Sequence, residues 1–163
     1  MMKNYENEIE TIISKANSEH LYNNHILNKK MLINRLLYDE NENTGRKYEI
    51  VSTFKNEEIM RKCLIRALKI PNIKKKILDY INDEDFKYSN KVVFCINFGT
   101  EVIGYGIARN TNFNTTFNMS KMILVIKRTQ YHDYFYIVSA YPVPNEEQER
   151  SIKNARDKYL KNK

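Results

Sequence analysis

The hydrophobic period of this chain changes near residue 91, and that change restricts the folds it can adopt. Over 56–81 the apolar residues recur at the spacing of amphipathic helices. Over 91–98 they alternate with a period of two, which predicts a largely buried strand. Further strand patterns follow at 102–108, 121–127 and 134–142. Helices that precede a run of strands predict an α+β domain, in which N-terminal helices pack on an antiparallel sheet.

Residues suited to helix ends place the individual helices. Asn28 and Asn56 each precede a helical pattern as an N-cap residue does, and Pro71 suits a first helical turn. A final surface helix is predicted after Asn145, because glutamates come early in that segment and lysines late. A first helix is predicted from five residues at helical spacing: Tyr5, Ile9, Ile12, Ile13 and Ala16.

Turn-forming segments separate the strands. An Asn/Thr-rich stretch at 110–118 predicts a loop, and 130–133 predicts a hairpin turn. Gly104 and Gly106 mark places in a strand where backbone or substrate must approach closely. Since no repeat or linker interrupts the chain, we expect one domain over 1–163, with an N-terminal helix at 1–17 and a helical tail at 145–163.

Composition excludes several classes of protein. The 163 residues suffice for one domain with a sizeable core, and no stretch approaches the roughly 18 apolar residues of a membrane span. The N-terminus carries no apolar signal segment, so we expect no cleavable signal peptide. Two cysteines, Cys63 and Cys95, are too few for a disulfide framework, and we expect both to be buried free thiols.

The chain is basic, with 27 Lys and Arg against 20 Asp and Glu and a formal net charge of +7. Such a surplus favours a polyanionic partner, either nucleic acid or an acidic protein, and does not choose between them. Zinc spacings, a Walker loop, a dinucleotide fingerprint and a nucleophile elbow are all absent from the sequence. The three histidines, His20, His25 and His132, show no metal-binding spacing, so we expect no metal or other cofactor.

The end of the last predicted strand carries a candidate site. Ser139 and Tyr141 are two residues apart, so their hydroxyls project from the same face of the sheet, next to Pro142. Together with His25 and Arg35 upstream, they suit metal-free cleavage of RNA. Histidine can take the proton of the attacking 2′-hydroxyl, arginine can neutralise the phosphoryl oxygens, and hydroxyl donors can bind the same oxygens.

A plainer interpretation stays open from the residues alone. His25 could be a solvated helix-end residue, Arg35 a surface side chain, and Ser139 and Tyr141 ordinary polar strand positions. The basic surface could also serve a non-catalytic RNA- or protein-binding module, or an acidic partner only. A ribonuclease of another fold, such as the barnase and EndoU group, would share the chemistry but not the order of helices and strands.

Five short motifs in order along 25–142 resemble the bacterial RNase A-like toxin domain, found at the C-termini of contact-dependent growth inhibition proteins and other polymorphic toxins. They are His25-Ile26, Arg35-Leu36, Val51-Ser52-Thr53-Phe54, the stretch Ile103-Gly104-Tyr105-Gly106, and the closing Ser139-Ala140-Tyr141-Pro142. The resemblance implies an RNase A-like fold without disulfides, with a toxin core at 20–143. It implies metal-independent RNA cleavage, with transfer RNA as the expected substrate.

The resemblance also implies a role for each matched residue. His25 would be the general base, Arg35 the phosphate clamp, Ser139 a hydroxyl in place of the usual Thr, and Tyr141 the closing tyrosine. Three further basic side chains are expected to bind substrate: Lys29, Arg109 and Lys127.

The sequence departs from the family pattern at two further points. Tyr105 stands where the family often has a basic residue. The spacing from His25 to Arg35 is one residue short, which leaves His20 as the alternative base.

Partners and location follow from the same resemblance. It implies a cognate immunity protein that blocks the cleft, and the charge of this chain makes an acidic one the expectation. The domain would act in the cytoplasm of a target cell as part of a secreted toxin, and we expect a monomer.

Overall fold

The fold is given by a computed structural model. It describes residues 25–41, 44–82, 91–128 and 135–163, together with Tyr5, Ile9, Ile12, Ile13 and Leu21. Within these residues the helices are α1 (Lys29–Tyr38), α2 (Glu57–Lys69), α3 (Pro71–Asn82) and α4 (Glu146–Lys161). The strands are β1 (Ile50–Phe54), β2 (Lys91–Asn97), β3 (Gly104–Ala108), β4 (Phe117–Met119), β5 (Lys121–Arg128) and β6 (Phe135–Val143).

The predicted helix starts are confirmed. Asn28 caps α1 by accepting the Met31 N–H at 2.9 Å, and Asn56 caps α2 by accepting the Ile59 N–H at 2.8 Å. Asn145 and Gln148 form a reciprocal capping box at the start of α4. These interactions are local in sequence, which is why the sequence alone predicts them.

The strands form two antiparallel sheets, which confirms the α+β class. The first sheet has the order β1-β3-β4 and the second has the order β2-β5-β6. Strand β1 occupies a segment in which the sequence pattern did not predict a strand. Strand β4 begins inside the predicted loop 110–118, so that loop assignment was too long. Three residues give too little periodicity to reveal a strand, and β4 exists because it pairs with Gly104 and Gly106 of β3.

The main core lies between the helices and one face of the second sheet. It includes residues from α2, α3, β2, β5 and β6, and Tyr5, Ile9, Ile12 and Ile13 of the predicted first helix are helical and buried in it. Ala16, the turn at 130–133 and Tyr134 lie outside the described residues. Of the helices that the structure describes, none has the length and apolar content needed to cross a membrane.

The opposite face of β2 is exposed, which overturns two expectations. Phe94 and Ile96 point into the core, but Val93 is 60% exposed and Cys95 is exposed as well. The strand predicted at 91–98 is present as β2, but the prediction that it is largely buried was wrong, and so was the prediction that Cys95 is buried. Cys63 is buried as predicted. Apolar residues on both faces suggested burial on both faces, but the helices pack against only one.

The two sheets meet where β1 and β3 lie beside the end of β6. The Ser52 hydroxyl donates to the Pro142 carbonyl oxygen at 2.7 Å. A Cβ at Gly104 would overlap the Thr53 carbonyl oxygen and lie 2.7 Å from Cγ of Pro142. Gly104 therefore serves the close approach of backbone that the sequence predicted. This junction brings the closing segment of the chain against β1.

Candidate active site

A β-bulge in β6 orients the predicted Ser139 and Tyr141 pair. Ser139 pairs with Val125 and Ile137 with Ile126, so Val138 is the extra residue on β6. Before the bulge Phe135 and Ile137 are buried, and after it the buried residues are Ala140 and Pro142. Without the extra residue, alternation would place Ser139 and Tyr141 on the buried face. The bulge turns both half-buried side chains to the other face of the sheet, away from the main core.

The backbone around His25 is held by Thr53 of β1. The fully buried Thr53 Oγ1 accepts the Leu27 N–H at 2.7 Å. The hydroxyl proton of Thr53 faces the carbonyl oxygens of Phe54, at 2.8 Å, and of His25, at 3.3 Å. The segment that carries His25 is therefore attached to the first sheet.

His25, Ser139 and Tyr141 come together at this junction. Nε2 of His25 lies 3.1 Å from Oγ of Ser139. The imidazole stacks on the Tyr141 ring, with 5.4 Å between ring centroids and 26° between the planes. His25 is only 6% exposed, so the interpretation of it as a solvated helix-end residue does not fit. One imidazole, one hydroxyl and one phenol thus form a compact cluster.

The environment of Tyr141 keeps its phenol protonated. Burial raises the pKa of Tyr141 above its usual value, and the nearby Tyr48 raises it further. A phenol that stays protonated at neutral pH can donate a hydrogen bond or a proton, and cannot act as a base.

Arg35 approaches the cluster through Tyr48. Its Nη2 donates to the Tyr48 hydroxyl at 3.2 Å, and its guanidinium carbon lies 4.9 Å from the Tyr48 ring centroid. A guanidinium over an aromatic ring is stabilised by the ring electrons. Sequence reasoning did not single out Tyr48, because it precedes β1 in a segment without periodicity.

The remaining predicted residues lie in three different places. The guanidinium of Arg109 donates to the backbone carbonyl oxygens of Tyr48, at 3.0 Å, and of Leu36. Lys29 Nζ donates to Asn114 Oδ1 at 3.3 Å. Lys127 shares the sheet face of Ser139, two residues along β5 from Val125. The contacts of Arg109 favour a role in supporting the backbone at Tyr48. Substrate binding by Arg109, Lys29 and Lys127 stays a prediction.

The family is decided by comparison with known proteins. The family model for the bacterial CdiA-CT RNAse A domain matches residues 19–142. This chain belongs to that family. The family is one of ribonuclease-type toxin domains of contact-dependent inhibition proteins, as the resemblance of the five motifs indicated. No curated protein sequence matches the chain.

A solved structure of a CdiA-CT domain has the same fold. The crystal structure of a CdiA-CT/CdiI complex from Y. kristensenii superposes with a TM-score of 0.59 at 18% identity. The superposition covers 77% of this chain and 99% of the other chain. At this level of identity the likeness shows the fold alone.

Helix α4 lies beyond the region matched by the CdiA-CT RNase A family, yet it contacts the same framework. Arg156 of α4 donates to the carbonyl oxygens of Arg109 and Glu49, each at 2.9 Å. Arg109 in turn holds the Tyr48 carbonyl oxygen. Hydrogen bonds from arginine side chains to backbone carbonyl oxygens thus connect α4 to Tyr48, the residue that contacts Arg35.

Of the two further departures from the family pattern, the structure places Tyr105 but not the alternative base His20. Tyr105, where the family often has a basic residue, is half-buried on β3 opposite Thr53. His20 and His132 lie outside the described residues. Among the residues that the structure describes, no group of three or more His, Cys, Asp and Glu side chains is placed to hold a metal ion.

Proposed function

We propose that this domain is an RNA endonuclease that cleaves by metal-independent transesterification and leaves 2′,3′-cyclic phosphate ends. The observation that carries the proposal is the cluster in which His25 Nε2 lies 3.1 Å from Ser139 Oγ, with Tyr141 stacked on the imidazole. The cluster lies on the sheet face that the β6 bulge exposes, in a chain of net charge +7.

Each step of the reaction has a residue suited to it. His25 removes the proton of the 2′-hydroxyl as the oxygen attacks the adjacent phosphorus, since imidazole is a base near neutral pH. The bond from phosphorus to the 5′ oxygen breaks, and the phenol of Tyr141 gives that oxygen a proton. Its raised pKa keeps that proton available. Proton exchange with water then restores both groups.

The negative charge that develops on the phosphoryl oxygens must be stabilised by hydrogen-bond donors. Ser139 supplies a hydroxyl beside the base, and Arg35 supplies a guanidinium that Tyr48 orients. Donors held in place before the reaction stabilise the transition state without reorganising. We therefore propose Arg35 as the phosphate clamp and Tyr48 as the residue that positions it. Lys29 and Lys127 are proposed to bind substrate, and Arg109 is proposed to brace Tyr48.

A second chemistry would use the same contact. A serine hydroxyl within hydrogen-bond distance of a histidine also suits a nucleophile and its base, with a covalent intermediate on Ser139. That route does not need the 2′-hydroxyl of the substrate. A substrate with 2′-deoxyribose at the cleaved nucleotide separates the two routes.

The biological setting is proposed from the family. The CdiA-CT domain of Y. kristensenii was crystallised with CdiI. We propose that an immunity protein likewise binds this domain, and that it is acidic because the chain carries a surplus of seven positive charges. We propose transfer RNA as the substrate and the cytoplasm of a target cell as the place of action.

The chemistry is tested with purified domain, total transfer RNA and excess EDTA. We expect RNA fragments that end in 2′,3′-cyclic phosphate, and no cleavage of the substrate with 2′-deoxyribose at the cleaved position. Cleavage of the deoxy substrate would favour the serine nucleophile. Tight RNA binding without cleavage under any condition would favour a non-catalytic binding module.

A further inference from the structure

The second sheet presents a face that no described helix covers. This open face consists of the side chains of β2, β5 and β6 that point away from the core. Its residues lie in cross-strand rows, in which directly opposite residues are neighbours. The rows are Lys91–Lys127–Tyr136, then Val93–Val125–Ser139, then Cys95–Ile123–Tyr141. The last two rows end in the proposed catalytic side chains.

The middle of the open face is apolar and accessible. Val93 is 60% exposed, although β-branched residues in the middle of a strand are usually covered. Val125 and Ile123 are half-buried beside it, and neither packs against a described buried cluster. An apolar surface of this kind beside polar catalytic groups is typical of a place where a ligand lies.

The first row carries an unusual pair of charges. Lys91 and Lys127 are directly opposite each other, and like charges in that position destabilise a sheet. Neither lysine forms an ion pair with another described residue. Tyr136 lies directly opposite Lys127 on the other side, so an aromatic ring completes the row. The two lysines can bind a phosphate of a nucleotide, and the ring can stack on the base of the same nucleotide.

The row lies close to the proposed site of cleavage. Two residues along a strand span roughly 7 Å. Lys127 is two residues from Val125, which pairs with Ser139, so the row lies about one nucleotide away from Ser139. A chain of RNA that runs along β5 from Ser139 would therefore reach the lysines with its next phosphate.

We propose that the row Lys91–Lys127–Tyr136 is a subsite for the nucleotide next to the two that flank the cleaved bond. The lysines contact its phosphate, the Tyr136 ring stacks on its base, and Val93 and Val125 line the path between. This inference rests on the proposed ribonuclease function. It adds that the substrate is single-stranded RNA longer than a dinucleotide, because only an unpaired base can stack on the ring.

The test compares two substrates and two sets of variants. One substrate is a dinucleotide, and the other is a longer oligonucleotide with a single ribose at the cleaved position. The subsite variants are Tyr136→Leu and the double variant Lys91→Gln with Lys127→Gln. The matched control is Lys75→Gln with Lys76→Gln, which removes the same charge from exposed positions of α3, a helix that belongs to the core on the other face of the second sheet.

We expect Tyr136→Leu to lose about tenfold in kcat/KM on the longer substrate, the size of one lost base-stacking contact. The double lysine variant should lose a similar amount, as for one charge-assisted hydrogen bond. The double lysine variant should also reduce the slope of log binding constant against log salt concentration by about 0.7, the value for one phosphate contact on a single strand. Tyr136→Leu should leave cleavage of the dinucleotide unchanged, the double lysine variant should lose less on the dinucleotide than on the longer substrate, and the control should match the parent on both substrates.

Equal losses on both substrates, or no loss on the longer one, would overturn the inference and leave the ribonuclease function standing. Weaker binding of the immunity protein with normal cleavage of the longer RNA would assign the face to a protein partner and also overturn it. Failure of the parent to cleave either substrate would instead overturn the proposed function, and the subsite with it.

Discussion

Thr53 holds His25 in place through the backbone, with its Oγ1 2.7 Å from the Leu27 nitrogen and 3.3 Å from the His25 carbonyl oxygen. The preceding residue, Ser52, holds the Pro142 carbonyl oxygen at 2.7 Å. Adjacent hydroxyls on β1 therefore fix the two parts of the chain that carry His25 and Tyr141. The short motif of the family around these residues has a physical role, which is to join the halves of the site.

Replacing Thr53 with Val removes the hydrogen bonds of its hydroxyl and keeps the packing of its side chain, so it tests the hydrogen bonds alone. The shape is nearly unchanged, but the Leu27 N–H loses its acceptor, which costs about 1–3 kcal/mol of unfolding free energy. Cleavage should fall by about 10²-fold, since a small displacement of a catalytic group has that effect. Thr53→Ser keeps the hydroxyl and should recover most of the rate in the same assay. A Val variant with the parent's rate would show that this anchor does not position His25.

Arg35→Lys should impair cleavage, because an ammonium cannot reproduce the fork that a guanidinium presents to phosphate. A loss of about tenfold or more is expected, as for one charge-assisted hydrogen bond of about 1.5–3 kcal/mol. Tyr48→Phe removes only the hydroxyl that accepts from Arg35 and keeps the ring beneath the guanidinium, so its loss should be smaller. Steady-state kinetics with one RNA would measure both. An Arg35→Lys enzyme that cleaves at the parent's rate would contradict the role of Arg35 as phosphate clamp.

Much of this molecule follows from local sequence, and the rest depends on distant contacts. The caps at Asn28, Asn56 and Asn145 involve residues three positions away, so the sequence shows them. The pairing of Ser139 with His25 joins residues 114 positions apart. The chemistry of the two residue types and the family resemblance suggested a shared site, but no local pattern in the sequence shows the contact.

Other features of the structure leave no recognisable pattern in the sequence. The bulge at Val138 reverses which face is buried, and strict alternation does not predict a reversal. The bracing contacts of Arg109 depend on where α1 ends relative to β3. Cys95 was assigned to the core because apolar neighbours surround it in sequence, although its side of the sheet is open.

Tyr141 should stay protonated over the whole pH range of activity. Burial raises its pKa, so its phenolate is disfavoured in the folded state. The resulting stability is fully present below the usual tyrosine pKa of about 10 and is lost as pH rises through the higher folded value. In an ultraviolet titration, the Tyr141→Phe variant should have one fewer tyrosine than the parent among those that ionise above the usual tyrosine pKa. Titration of that phenol below pH 10 would contradict its role as proton donor.

The two thiols should differ in reactivity. Cys63 is buried, and burial raises the pKa of its thiol to about 11, whereas Cys95 is exposed on the open face. Thiolate is the reactive form, so alkylation of the folded protein near neutral pH should modify Cys95 alone. Peptide mass spectrometry would locate the label, and unfolded protein should react at both sites. Protection of Cys95 in the free domain would mean that its face of the sheet is covered.

The most direct measurement is the single-turnover rate of RNA cleavage in EDTA by the parent and by His25→Ala, with thermal melting to show that the variant is folded. The proposed mechanism predicts cleavage by the parent and a loss of about 10²–10⁴-fold in the variant, the usual contribution of a general base. Equal rates in a folded His25→Ala protein, or cleavage by the parent only after a divalent metal is restored, would contradict it.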